Sequence, residues 1–281
     1  MNARCMQGQG IRWLIWPLLL ILLIPDSSAL NISPSEVDDW IEVEGGWSVI
    51  VEEHTAVWCS SCVLIDPYLR QAQESHGSRM ILIGLHPDDG IDPFGNEYSE
   101  QRLSRFEEKT GTPAFFVDGD FVTEGIDVWP DVQSAVLKAE SEATDYRPMT
   151  LSIVEINGSV HWDVKAEIGT NESLNILVLA HGLAVPSGVE NPGGKTRDNV
   201  LIYSTNNSNG SYLLPLNIEG YSIVATVQSS DSNTLGAVEA RVLPLSESND
   251  ERGLWALMIL LCLGAILVWP RKLDAVSQEE E

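Results

Sequence analysis

Two cysteines three positions apart, Cys59 and Cys62 in the stretch "EEHTAVWCSSC", are the residues best placed to do chemistry. Such a pair admits three roles: a thiol–disulfide exchange couple, half of a metal site, or a small structural staple. The other two cysteines, Cys5 and Cys262, lie in or beside apolar terminal runs. Cys262 reads there as a small apolar side chain rather than an electron relay. A structural zinc site needs four Cys or His ligands. The histidines His54, His76, His86, His161 and His181 show no pair at metal-ligand spacing, so no metal is assigned.

The thiolate is the nucleophile in disulfide exchange. "WSVIVEEH" reads as a strand and "SCVLIDPYLRQAQ" as a helix, which sets Cys59 at a helix start. Free N–H groups and the helix dipole stabilise an anion there. Cys62, one turn further in, could attack a mixed disulfide formed at Cys59. Upstream, alternation from Val49 and Val51 points Glu53 inward. A buried carboxyl with a raised pKa could relay the proton of Cys62. A strand shifted by one residue would leave Glu53 solvated instead. Asp88, Asp89, Asp92, Asn96 and Glu97 supply oxygens without calcium-loop spacing.

The elements that must hold these residues are set by where the chain sits. Residues 1–29 combine Arg4 and Arg12, an apolar run from Trp13 to Ile24, and the small residues Ser27, Ser28 and Ala29. That is the build of a signal peptide; the alternative is an uncleaved anchor. A second apolar run over 253–269 is flanked by Trp255 and Trp269 and followed by Arg271 and Lys272. It predicts a transmembrane helix with a cytoplasmic tail, 270–281. The expected localisation is thus a single-pass membrane protein with its N-terminal domains extracytoplasmic. Cys59 and Cys62 would then be left alone in an oxidising compartment.

A formal net charge of -25 repels phosphate backbones, so nucleic acid is excluded as a partner. Solubility in a salty medium or attraction of a basic partner would each suit that charge. Sequons at Asn31, Asn157, Asn171, Asn206 and Asn209 fit a surface glycoprotein. Residues 33–146 alternate strand-like runs with helical ones, the pattern of an α/β domain. Ser99 would precede one helix, Gly111 end it, and Pro130 sit in the first turn of the next. Residues 149–245 hold short alternating runs between turn-rich clusters, predicting an immunoglobulin-like or fibronectin-like β-sandwich. "VPSGVENPGGKTRDN" reads as a long exposed loop, either connection or recognition surface.

Around the cysteines the chain resembles the thioredoxin superfamily. Trp58 precedes the first cysteine, Pro67 falls five residues after the second, and "GTPAFFVDGD" has the form of that superfamily's cis-proline loop entering a hairpin. The resemblance implies a thioredoxin-like fold, a cis Pro113, the Thr112 backbone facing Cys59, and a turn at Asp118 and Gly119. It also places Glu53 where thioredoxins bury an acid, and sets His86, at the end of "RMILIGLH", on the catalytic rim. There His86 would tune the thiolate, contact substrate, or merely cap its strand. Within the superfamily the chain is similar to outer-membrane-protein-related surface proteins that add a β-rich C-terminal domain. That likeness rests on "VEEHTAVWCSSC", "LIGLHPDD" with "DPF", and "YSIVATVQSSDSNTLGAVEA".

Two functions follow as expectations. The first is a membrane-anchored thiol–disulfide oxidoreductase acting on protein thiols or disulfides. In it Cys59 attacks, Cys62 resolves and the Thr112–Pro113 backbone aligns the substrate, with no cofactor and with electrons exchanged with a membrane redox partner. The second is a surface binding or adhesion protein whose thioredoxin scaffold keeps an inert Cys59–Cys62 disulfide. The serines between the cysteines do not set the direction of electron flow, since potentials of such pairs span roughly -270 to -120 mV.

Overall fold

The computed structural model describes residues 39–106, 111–142 and 147–243. The signal-peptide stretch 1–29, Asn31, the apolar run 253–269 with Cys262, and the tail 270–281 lie outside the described residues. Along the chain come β1 (Ile41–Gly45), β2 (Val49–His54), α1 (Ser60–His76), β3 (Met80–Leu85), α2 (Glu97–Leu103), β4 (Ala114–Val117), β5 (Asp120–Glu124) and α3 (Trp129–Glu142). Only strands follow: β6 (Met149–Ile156), β7 (Ser159–Ala166), β8 (Glu172–His181), β9 (Leu183–Ala184), β10 (Thr196–Arg197), β11 (Val200–Thr205), β12 (Asn209–Leu213), β13 (Gly220–Ser229) and β14 (Thr234–Val242).

The main sheet has eight strands in the order β14-β13-β8-β11-β3-β2-β4-β5, and a second has four in the order β1-β6-β7-β12. β2 and β3 run parallel, a pairing that needs a crossover, which α1 provides. On one face Val49, Val51, Leu82 and Phe115 pack beneath Ile65 and Leu69 of α1 and Val132 and Val136 of α3. On the other, Ile50, Ile81 and Ile83 continue into Leu177, Leu201 and Val224, with Tyr98 and Leu103 of α2 against them. β3 is therefore covered on both faces and its six residues are all buried, which its unbroken apolar run "MILIGL" suits. Further along, Ile176, Val178, Ile223 and Val238 face Leu151, Ile153 and Trp162 of the smaller sheet in sandwich-like packing.

The expected fold class, an α/β thioredoxin-like domain followed by a separate sandwich and a transmembrane helix, is corrected. The described residues are mostly sheet, with three α-helices among them. Strands from both halves of the chain share both sheets: β11 pairs with β3, and β1 pairs with β6 over five residue pairs. Periodicity reports that a strand is buried and is silent on which edge it joins. No helix among the described residues is long and apolar enough to cross a membrane. The single-pass localisation is not upheld, and the segment on which it rested lies outside the described residues.

Local signals moved by a few residues. Asn96, not Ser99, caps α2, accepting from Tyr98 N and Ser99 N, and the helix ends at Leu103. Pro130 lies in the first turn of α3. Asp118 and Gly119 turn β4 into β5 with φ 50° and 99°.

Glu52 lies fully buried in β2, and its carboxylate meets the guanidinium groups of Arg102 and, at 3.2 Å, Arg105. Arg105 also donates to Gln228 of β13 at 2.7 Å, so one network ties α2 to two distant strands of the sheet. Arg102→Ala strips the buried carboxylate of its closest partner and should cost roughly 3–5 kcal/mol, read from the shift of a urea midpoint. A second outcome concerns Asp118, which accepts Ile50 N–H at 2.9 Å. Burial lifts its carboxyl from 3.8 to about 7, the Ile50 bond opposing and Glu52 and Asp120 adding. An acid raised in this way stabilises the fold below its unfolded pKa and loses that contribution as pH rises through its folded one. Asp118→Asn keeps the acceptor and tolerates the positive φ. Its gain in unfolding free energy over wild type, read from urea midpoints, should grow between pH 4 and pH 7 and level off above, to about 1–2 kcal/mol after allowance for partial exposure.

Candidate functional site around Cys59 and Cys62

β2 delivers the chain to a short connection, Thr55 to Trp58, and α1 begins at once. Cys59 is its N-cap, extended at φ -78° and ψ 104°, and its Sγ accepts the Cys62 N–H at 3.0 Å. A sulfur thus occupies the place where Ser, Thr or Asp usually satisfies a free helix N–H. No acidic residue stands in the first turn to offset the dipole there. Cys59 and Cys62 are joined in a disulfide, and their exposures are only 4% and 2%. Ala56 and Trp58 pack against them, Trp58 half-buried.

Thr112 and Pro113 precede β4, and the peptide between them is cis. β4 pairs antiparallel with β2, with Ala114 opposite His54. The loop carrying Thr112 and Pro113 therefore opens at the same end of the sheet as the connection to Cys59. Pro113 is buried, and its carbonyl accepts from Gly125 N at 2.9 Å. Pro67 lies within α1, which continues through it to His76.

Glu53 points to the α1 side of the sheet and is 5% exposed; Oε1 has no hydrogen-bond partner. It lines a cavity of about 540 Å³ together with Asp66, His86, His181, Arg197 and Asn199. Burial pushes the Glu53 carboxyl well above the usual carboxylate range, and the Asp66 charge adds to this while Thr55 and Arg197 oppose it. Asp66 is itself raised by burial, with Arg197, Arg70 and His86 pulling it back. His181 is held neutral by geometry: Nδ1 accepts from Asn199 N at 3.1 Å and Nε2 meets Ser222 Oγ at 2.8 Å. Burial, aided by Arg241, lowers it to about 3.

His86 follows β3 directly and is 1% exposed. Its Nδ1 lies 3.0 Å from Asp92 Oδ2, and its ring meets Phe94 edge-on. The same Oδ2 accepts Val57 N at 2.7 Å, and Oδ1 accepts Phe94 N at 2.8 Å. Burial alone would raise Asp92, yet the donors of His86, Phe94 and Val57 outweigh it and hold its pKa below the ordinary value. Asp89 Oδ1 takes the N–H groups of Ile91 and Asp92 at 2.8 Å each. Asp89, Asp92 and Asn96 of this acid-rich loop therefore serve backbone N–H groups. Through Asp92, His86 braces the residue two places before Cys59. It is buried behind the rim, lining the cavity.

The long loop before β11 supplies what periodicity did not show. Arg197 Nη2 donates to Val57 O at 3.3 Å and to Asn191 Oδ1 at 2.7 Å, while Nη1 donates to Gly194 O at 2.9 Å. A Cβ on Gly193 would lie 2.9 Å from a methyl of Val63, so the loop passes close to the first turn of α1. The segment is therefore a wall of the cysteine site as well as a connection. Asp66 was legible in principle, four residues after Cys62 on one helix. Arg197 carried no local signal, standing 140 positions from Val57.

Asp92→Ala removes the acceptor for Val57 N, Phe94 N and His86 together. It should destabilise the protein by roughly 2–4 kcal/mol in a denaturant titration, with Asp92→Asn losing less.

No protein-family model matches the chain, and no curated protein matches it. Among solved structures it is similar to an Agrobacterium tumefaciens protein determined by X-ray crystallography as a structural-genomics target. The identity is 14% and the TM-score 0.47, over 71% of this chain and 96% of that one. A likeness of that size carries no argument about fold or activity.

Proposed function

We propose that the protein is a thiol–disulfide oxidoreductase acting on protein thiols or disulfides through Cys59 and Cys62. One observation carries this reading: Cys59 caps α1 with its sulfur 3.0 Å from the Cys62 N–H, where a thiolate is stabilised by a helix N-terminus, and its exchange partner is one turn away. Trp58, Pro67 and the Thr112–Pro113 loop support it at the level of motif, as members of the set shared with the thioredoxin superfamily.

From the disulfide state, a substrate thiolate attacks Cys59 Sγ, and the Cys59–Cys62 bond breaks to release the Cys62 thiolate. A second substrate thiolate attacks the substrate sulfur of the mixed disulfide and expels Cys59. The substrate dithiol is oxidised by two electrons and the protein disulfide is reduced by two. In reverse, the Cys59 thiolate opens a substrate disulfide and Cys62 resolves the mixed species. The sulfurs carry both electrons, so no dissociable cofactor is required.

A second reading, an inert disulfide within a binding or adhesion protein, is favoured by one feature, the 4% and 2% exposure of the two cysteines. Buried cysteines are ordinarily unreactive. The full-length protein equilibrated in graded glutathione buffers, with thiols trapped and counted by mass, separates the two. The oxidoreductase reading expects a reversible two-electron transition within roughly -270 to -120 mV, and accumulation of mixed disulfide at Cys59 in Cys62→Ser. A pair still oxidised well below that range would make the disulfide a staple.

A further inference from the structure

The cavity behind α1 is lined by four deeply buried polar side chains, Glu53, His86, His181 and Asn199, none more than 6% exposed. Three of them are already served within the protein: His86 by Asp92, His181 by Asn199 N and Ser222, and Asn199 by Gln73. Glu53 is the exception. Thr55 bonds its carboxyl, but Oε1 has no hydrogen-bond partner. The cavity measures about 540 Å³. One water occupies roughly 30 Å³, and small-ligand sites run from about 300 to 1,000 Å³. Leu69 and Leu82 add an apolar wall beside the bare oxygen's strand and helix.

We propose that this cavity binds a small primary alkylammonium ion, whose N–H groups meet Glu53 Oε1 and whose alkyl chain lies against Leu69 and Leu82. The site uses neither cysteine and goes beyond the thiol–disulfide chemistry, so it stands or falls separately from that reading. A bare acceptor in a buried place is costly until a donor reaches it, and a cationic donor makes the stronger bond. Charge points to the same class. From α1 the cavity is faced by Asp66, Arg70 and Glu74, and from the β10 segment by Arg197 and Asp198. Glu219, just before β13, and Arg241 of β14 complete the charged lining. With Glu53 that makes five carboxyls against three guanidinium groups. His181, with both ring nitrogens engaged and its pKa lowered to about 3, adds no positive charge. Arg197 spends its Nη groups on Val57 O, Asn191 Oδ1 and Gly194 O, which turns them to its own loop. An anion would meet the excess of carboxyls, and a neutral molecule would leave it uncompensated.

Binding of this kind carries a proton signature. Burial holds the Glu53 carboxyl of the empty protein well above the usual carboxylate range, and on the acid side of its midpoint it is protonated. An ammonium ion beside it favours the ionised form, so the proton leaves as the ligand enters. Affinity therefore rises with pH until the empty site is itself ionised. Asp66, also raised by burial, contributes with the same sign.

The probe is n-butylammonium, titrated by calorimetry into the oxidised full-length protein at pH 5 in two buffers of different ionisation enthalpy. Saturable binding should release about one proton per probe and should tighten toward pH 7. Glu53→Gln, neutral like the protonated acid and of the same shape, should weaken binding about tenfold or more and release about one proton fewer. Tetramethylammonium carries the charge without an N–H donor and should bind about tenfold more weakly than butylammonium. Absence of saturable binding up to about 10 mM probe overturns the proposal. So does equal binding by a folded Glu53→Gln, or equal binding of tetramethylammonium, either of which would make the signal a general attraction of cations to an acidic surface. Should Glu53→Gln fail to fold, the proton release and the tetramethylammonium comparison in the wild type decide the matter between them.

Discussion

β2 must bury both of its glutamates, because the sheet around it is covered on both faces, and the site follows from how each burial is met. Glu52 faces α2 and is neutralised by arginine; Glu53 faces α1 and meets a cavity. A carboxylate fully removed from water costs several kcal/mol unless it is paired or protonated. The two adjacent residues meet that cost in different surroundings. The first binds the helix α2 to β2 and, through Arg105 and Gln228, to β13. The second lines the cavity behind α1, where burial pushes its carboxyl well above the usual carboxylate range.

Around that strand the cysteine site is held from three directions. Asp92 fixes the Val57 N–H from the loop after β3, Arg197 holds the Val57 carbonyl from the β10 segment, and β4 sets the Thr112–Pro113 loop beside them by its pairing with β2. Both polar groups of Val57 are thereby satisfied by side chains. The connection leading to Cys59 is thus hydrogen-bonded on both sides of Val57, although it is neither helix nor strand. Rigid support of this kind is what a helix N-terminus needs if its dipole is to act on one sulfur rather than on solvent.

What was legible in the sequence was local. Alternation through Val49 and Val51 placed Glu53 inward, the Cys59 position at a helix start followed from the strand before it, and Asp118-Gly119 marked its own turn. Glu52 was not legible, because alternation assumes that one face of a strand meets water and here neither does. The division into an α/β domain and a sandwich failed for a related reason. β1 and β6 carry the periodicity of ordinary strands, and nothing in either names the other as partner, yet they pair across more than a hundred residues. The apolar run at 253–269 supported a membrane helix by composition alone, and it lies outside the described residues. Arg197 shows the same limit at the site: a guanidinium in a Gly- and Pro-rich loop looks solvated until the chain brings Val57 beneath it.

That distance has a consequence for how the protein is made. Synthesis runs from the N-terminus, so Cys59 and Cys62 emerge long before Arg197, and until residue 197 follows them the carbonyl of Val57 has no partner and one wall of the site is missing. Contacts of such long sequence separation form late and slowly. For that interval the nascent chain presents two neighbouring thiols with none of the shielding they have at the end. The time the ribosome needs to reach residue 197 is then the window in which a wrong disulfide partner has its best chance.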